Sequence, residues 1–174
     1  MSRILDDNNF EALKLFDENS NINSIVSSKL ESIFKRLFND TEVNSDNFYF
    51  TIFEDEQANA FFIDKENTAE KNKHIIAVSR GLIAECNNEA ELAGILGHEC
   101  GHYLWGELLK GNNTIFQEHA ADLRAIDLLI NGGYNPRHHL EICKRILGEY
   151  GRVNYSDINL GVHGNGLARV DDIK

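Results

Sequence analysis

Residues 89–122 read EAELAGILGHECGHYLWGELLKGNNTIFQEHAAD, and the fold turns on how this stretch divides. Its first part is apolar and rich in small residues up to His98-Glu99-Cys100-Gly101-His102, an HExxH pentapeptide. On a helix the two histidines stand one turn apart and project from one face. Two imidazoles so placed can grip a Zn²⁺ ion, with Glu99 beside them as a general base. Composition alone yields such a pentapeptide about once in forty chains of this kind, so the motif needs support from its surroundings. The plain alternative is a solvated helix carrying two unconnected histidines. The run from Ala90 to Gly97 argues against it: a helix this apolar is buried, and buried histidines need partners.

The pattern predicts this helix over about Asn88 to Leu109, capped at Asn87-Asn88 and acidic in its first turn. Lys110-Gly111-Asn112-Asn113 ends it. Thr114 with Gln117 forms a capping box that opens a second helix to about Asn131. Gly132-Gly133 closes that one, and Asn135-Pro136 starts a third, through about Gly148.

Hydrolytic zinc sites take three protein ligands and keep one position for water. Folding the second helix back on the first brings Glu118 level with His102, so Glu118 is the candidate third ligand. Asp122 lies one turn further on the same face, where a carboxylate can accept the free N–H of a ligating histidine. Ala120, Ala121 and Ala125 suit close helix approach better than open solvent. His119 is about 100° round the helix from Glu118 and reads as a flanking residue. Cys100 points about 200° from His98 and reads as core. A donor for a developing oxyanion should come from the late Gly-rich segment, where Tyr155, His163 and Arg169 are candidates.

Upstream, Phe10, Leu13 and Phe16 give a short amphipathic helix over 9–18. Ile22, Ile25, Val26, Leu30, Ile33, Phe34, Leu37 and Phe38 give a stronger one. Phe48–Phe53, Asn59–Ile63 and Ile75–Val78 read as strands, and their connections suggest a small antiparallel sheet. Gly81–Cys86 starts a short helix behind the third strand. The fold class is therefore α+β and mainly helical. One domain is expected over 1–174, with packing helices in 1–40, a catalytic core in 47–150 and a C-terminal segment, 151–174, near the site.

The net charge of −11 argues against a nucleic-acid partner and against electrostatic binding to anionic membranes. No apolar run approaches the roughly 18–20 residues of a membrane span, and the N-terminus lacks the apolar core of a signal peptide. Cys86, Cys100 and Cys143 form no framework, and their odd number suits reduced thiols. A cytoplasmic protein is expected.

These residues together resemble the zinc endopeptidases that include the HtpX heat-shock protease and the CaaX prenyl proteases. The resemblance runs from about Asn59 to Arg169. It rests on Asn59-Ala60-Phe61, Ile75 to Val78, Gly81-Leu82-Ile83, Glu91-Leu92-Ala93, His98 to His102, Glu118 to Asp122, and the Gly133-Tyr134-Asn135-Pro136 turn. It implies a zincin-like gluzincin domain binding one Zn²⁺ through His98, His102 and Glu118, with Glu99 as catalyst. It also implies that Ile75–Val78 is an edge strand receiving an extended peptide, so that Asn59, Ala60, Ile76 and Ala77 line the substrate site. The family's His-Pro segment, with an Arg six residues after the His, corresponds to His163 and Arg169. The Pro is Gly164 here. The link from His102 to Glu118 is only fifteen residues long, as expected of a minimal soluble version, and membrane or prenylated substrates do not carry over.

Three functions fit these features. The first is an endopeptidase cutting flexible peptide or unfolded protein. The second is a latent form closed by His163 until a regulatory protein partner acts. The third is a zinc-stabilised module that holds peptides without cutting, against which the retained Glu99 argues. An ImmA-type regulatory metalloprotease shares the HExxH, but the Asn-Ala-Phe segment and the Gly-Tyr-Asn-Pro turn favour the first family.

Overall fold

A computed structural model describes residues 21–39, 41–67, 72–105 and 114–150. The expected helix over 9–18 and the segment 151–174 lie outside them. In chain order the elements are α1 (Asn21–Leu37), β1 (Phe48–Phe53), β2 (Ala60–Ile63), β3 (His74–Ser79), α2 (Arg80–Glu85), α3 (Glu89–Trp105), α4 (Thr114–Asn131) and α5 (Arg137–Tyr150). Among the described residues the architecture is α+β, with five α-helices and one three-stranded sheet.

The sheet differs from expectation. Its order is β1-β3-β2, with β1 parallel to β3 and β2 antiparallel to it. The sheet is thus mixed, and Ile75–Val78 is its middle. The reason is visible in the side chains. Ile76, Ala77, Val78 and Ser79 are all buried, a near-continuous run that suits a strand covered on both faces. β1 instead alternates, with Phe48, Phe50 and Ile52 inward and Tyr49 exposed.

The apolar stripe of α1 packs across β1. Val26, Leu30, Ile33, Phe34 and Leu37 are fully buried, and each such side chain contributes about 1.5–3 kcal/mol through burial. Phe34 is the hub of this contact, its ring centroid 4.5 Å from Phe38, 4.6 Å from Phe48 and 5.2 Å from Phe50.

Polar contacts fix both ends of the helix pair that carries the motifs. At the start of α3, Asn88 Oδ1 accepts the Glu91 N–H at 2.9 Å, while the Glu91 carboxylate accepts the Asn87 N–H at 2.7 Å and pairs with Arg145. Both ends of the exchange satisfy donors that the first turn leaves open. Glu89 pairs with Lys29 of α1 and accepts the Tyr134 hydroxyl at 2.6 Å. Burial, together with that carboxylate, holds the Tyr134 phenol above its ordinary pKa. Arg36 of α1 lies over the Tyr134 ring and donates to the Gly132 carbonyl at 2.6 Å. Gly133, at φ +69°, ends α4 in the left-handed conformation that glycine adopts without steric cost. The Gly-Tyr-Asn-Pro turn is therefore a clamp joining α1, α3 and α4.

Candidate metal centre

α3 presents His98 and His102 one turn apart. Their Nε2 atoms are 3.1 Å from one another, and the ring planes cross at 85°. From α4, Glu118 brings one carboxylate oxygen to 3.3 Å from His98 Nε2 and the other to 3.4 Å from His102 Nε2. With metal–ligand bonds of about 2.0–2.1 Å, the edge of a zinc tetrahedron is about 3.3 Å. The spacings between the histidine nitrogens and the nearest Glu118 oxygens are therefore close to those between zinc ligands. The donors, two imidazoles and a carboxylate, are also those zinc ordinarily takes. A divalent cation at the centre converts the mutual repulsion of these lone pairs into attraction. The donor set fits zinc.

Small residues make this convergence possible. A Cβ on Gly101 would stand 2.7 Å from both the Cα and the carbonyl oxygen of Ala121, and one on Gly97 would stand 3.3 Å from the Ala125 Cα. The backbones of α3 and α4 thus touch beside the ligands, which lets a short Glu side chain reach both histidines. His98 and Glu118 are each 3% exposed, whereas the His102 side chain is 21% exposed. Of the three, His102 is the most exposed.

Asp122 accepts the His98 Nδ1–H at 2.8 Å. That bond puts the proton on Nδ1 and leaves the Nε2 lone pair facing Glu118 and His102. The sequence reading missed His139, which is fully buried on α5 and donates from Nε2 to the same Asp122 oxygen at 3.1 Å. Burial by itself would lower the His139 pKa, but Cys143 and Asp122 against the ring outweigh it, and the group is pushed up to about 10. A signal existed: His139, Ile142 and Cys143 share the buried face of α5, and a histidine on an apolar stripe needs a partner.

The remaining predicted residues divide. Glu99 is buried on α3 next to His98. Cys100 is in the core, and burial raises its thiol well above the usual range. His119 is half-buried beside Glu118. Asn59 and Ala60 lie at the start of β2, an outer strand, where Ser79 Oγ accepts the Asn59 N–H at 2.9 Å. Ile76 and Ala77 do not line a substrate edge. They lie on β3, whose backbone is paired with β1 on one side and β2 on the other, so it has no side to offer a peptide. Tyr155, His163 and Arg169 lie outside the described residues.

Two other groups of donors come together among the described residues. His98, Asp122 and His139 share a ligand with the first group; Glu91, His138 and Glu141 form the other, in which Glu91 is already engaged by Arg145. No described helix is long and apolar enough to cross a membrane.

A family model described as peptidase family M48 matches residues 24–113, just over half of the chain. The match takes in α1, the sheet and the HExxH helix and stops short of Glu118. No curated protein matches the chain.

Proposed function

The chain belongs to peptidase family M48, the HtpX and CaaX protease type, and from that premise we propose that it is a zinc-dependent endopeptidase. In this reading His98, His102 and Glu118 hold the ion, Asp122 orients His98, and Glu99 is the general base. The observation that carries it is the convergence of the donors: the two Nε2 atoms lie 3.1 Å apart, with one Glu118 oxygen 3.3 Å from His98 and the other 3.4 Å from His102.

Zinc bound there would supply a Lewis acid and lower the pKa of a water molecule. Glu99 takes the proton of the water that attacks the scissile carbonyl and passes it to the leaving amine. Glu99 is 2% exposed, so bulk water has little access to its carboxylate. The substrate is an extended peptide segment. It adds along β2, the strand that lies outermost on the side of the sheet carrying Asn59 and Ala60, and is held there by main-chain hydrogen bonds.

The test is metal content. Purified protein is expected to retain about one zinc per chain, and Glu118→Ala to lose most of it. A wild-type chain that takes up no zinc, or a Glu118→Ala variant that binds it undiminished, would contradict the ligand set.

A further inference from the structure

We propose that His139 is a positioning residue for the metal centre, holding Asp122 in place so that Asp122 holds His98. The inference rests on the zinc reading above and extends it to a third helix.

One oxygen, Asp122 Oδ1, accepts two imidazole N–H groups, from His98 Nδ1 at 2.8 Å and from His139 Nε2 at 3.1 Å. All three residues are at most 3% exposed, so water does not compete for that oxygen. They come from three helices, His98 from α3, Asp122 from α4 and His139 from α5. The contact between α5 and α3 is built for this approach. A Cβ on Gly94 would meet the Cα, Cβ and Nδ1 of His139 at 3.0 Å each, and Gly94 is one turn before His98 on the same helix. The rings of His98 and His139 lie 27° from parallel with 6.3 Å between centroids, and both reach the same carboxylate oxygen.

The physical consequence follows from the chemistry of a buried carboxylate. Without His139, the buried Asp122 carboxylate would lose a donor to the oxygen that also holds His98. The donor from His139 to the same oxygen restrains the orientation of that carboxylate. The His98 ring is then held with Nδ1 protonated and Nε2 directed at Glu118 and His102.

The test measures zinc affinity by chelator competition on the full chain for wild type, His139→Gln and His139→Leu, each also combined with Asp122→Ala. Glutamine keeps a donor at the Nε2 position and leucine removes it. His139→Leu is expected to bind zinc about tenfold more weakly, with His139→Gln restored close to wild type. In the Asp122→Ala background, His139→Leu should add no further loss, because the carboxylate through which it acts is gone. Equal affinity of His139→Leu and wild type overturns the inference, as does a Gln variant no better than Leu, or additive losses. If His139→Leu does not fold, ring ¹⁵N NMR of unaltered, zinc-loaded protein decides: a proton on His139 Nε2 supports the inference, and its absence overturns it. Wild type that binds no zinc overturns the metal reading itself, whereas every other contrary result removes only the role of His139.

Discussion

His98 and Asp122 meet across two helices at 2.8 Å, and this bond links the donor cluster to the packing of α3 on α4. The same helix pair that brings Glu118 to the histidines brings Asp122 to the far nitrogen of one of them. The proposed ligand and the proposed orienting group, four residues apart on α4, thus depend on one helix contact.

Asp122→Ala is accordingly expected to weaken zinc binding by about 10–100-fold while leaving all three ligands in place. Chelator competition measures this directly. Unchanged affinity would mean that the His98 tautomer is set by something else.

Gly101→Ala tests the helix contact. Its methyl group would stand 2.7 Å from Ala121 backbone atoms, so α3 and α4 must separate. A loss of about 1–3 kcal/mol in unfolding free energy is expected from overpacking, with weaker zinc binding because Glu118 moves with α4. Denaturant titration and zinc content check the two halves. A variant as stable and as zinc-replete as wild type would show that the helices do not touch there.

A pH dependence follows from His74, buried at the start of β3 among the rings of Phe48, Phe62 and Tyr103. Burial lowers its pKa despite Asp64 nearby, and its Nδ1 accepts the Lys65 N–H at 3.2 Å, a bond available only to the neutral ring. With the folded pKa below the unfolded value of about 6.5, the unfolded chain binds more protons between the two. Stability is therefore complete above about pH 6.5 and declines as pH falls from there through the folded pKa. The denaturation midpoint should fall between pH 7 and pH 5.5, and more steeply in wild type than in His74→Gln. Equal slopes would remove His74 as the cause.

Much of this was legible in the sequence because it depends on short-range spacing. HExxH on an apolar helix, Glu118 four residues before Asp122, and the alanines between them predict a close helix pair, and the pair forms with these residues facing. The strands were also found, since Phe48–Phe53 alternates and Ile75–Val78 is β-branched and apolar. Their order was not. The connections suggested an antiparallel sheet, whereas strand position depends on which side chains are covered on both faces, and only the unbroken apolar run of β3 hinted at a central place. His139 was missed for a related reason. Its partner Asp122 is seventeen residues away on another helix, and no local spacing connects them.

In the proposed reaction Glu99 performs proton transfer at a zinc centre held by its neighbours. The most direct measurement compares cleavage of a broad set of flexible peptides by zinc-loaded wild type and by Glu99→Gln at equal zinc content. Wild type is expected to cleave, and Glu99→Gln to keep its zinc while losing at least about 100-fold in kcat/KM. Zinc-loaded wild type that cuts no peptide, or a Glu99→Gln variant that cuts as well as wild type, would contradict the account.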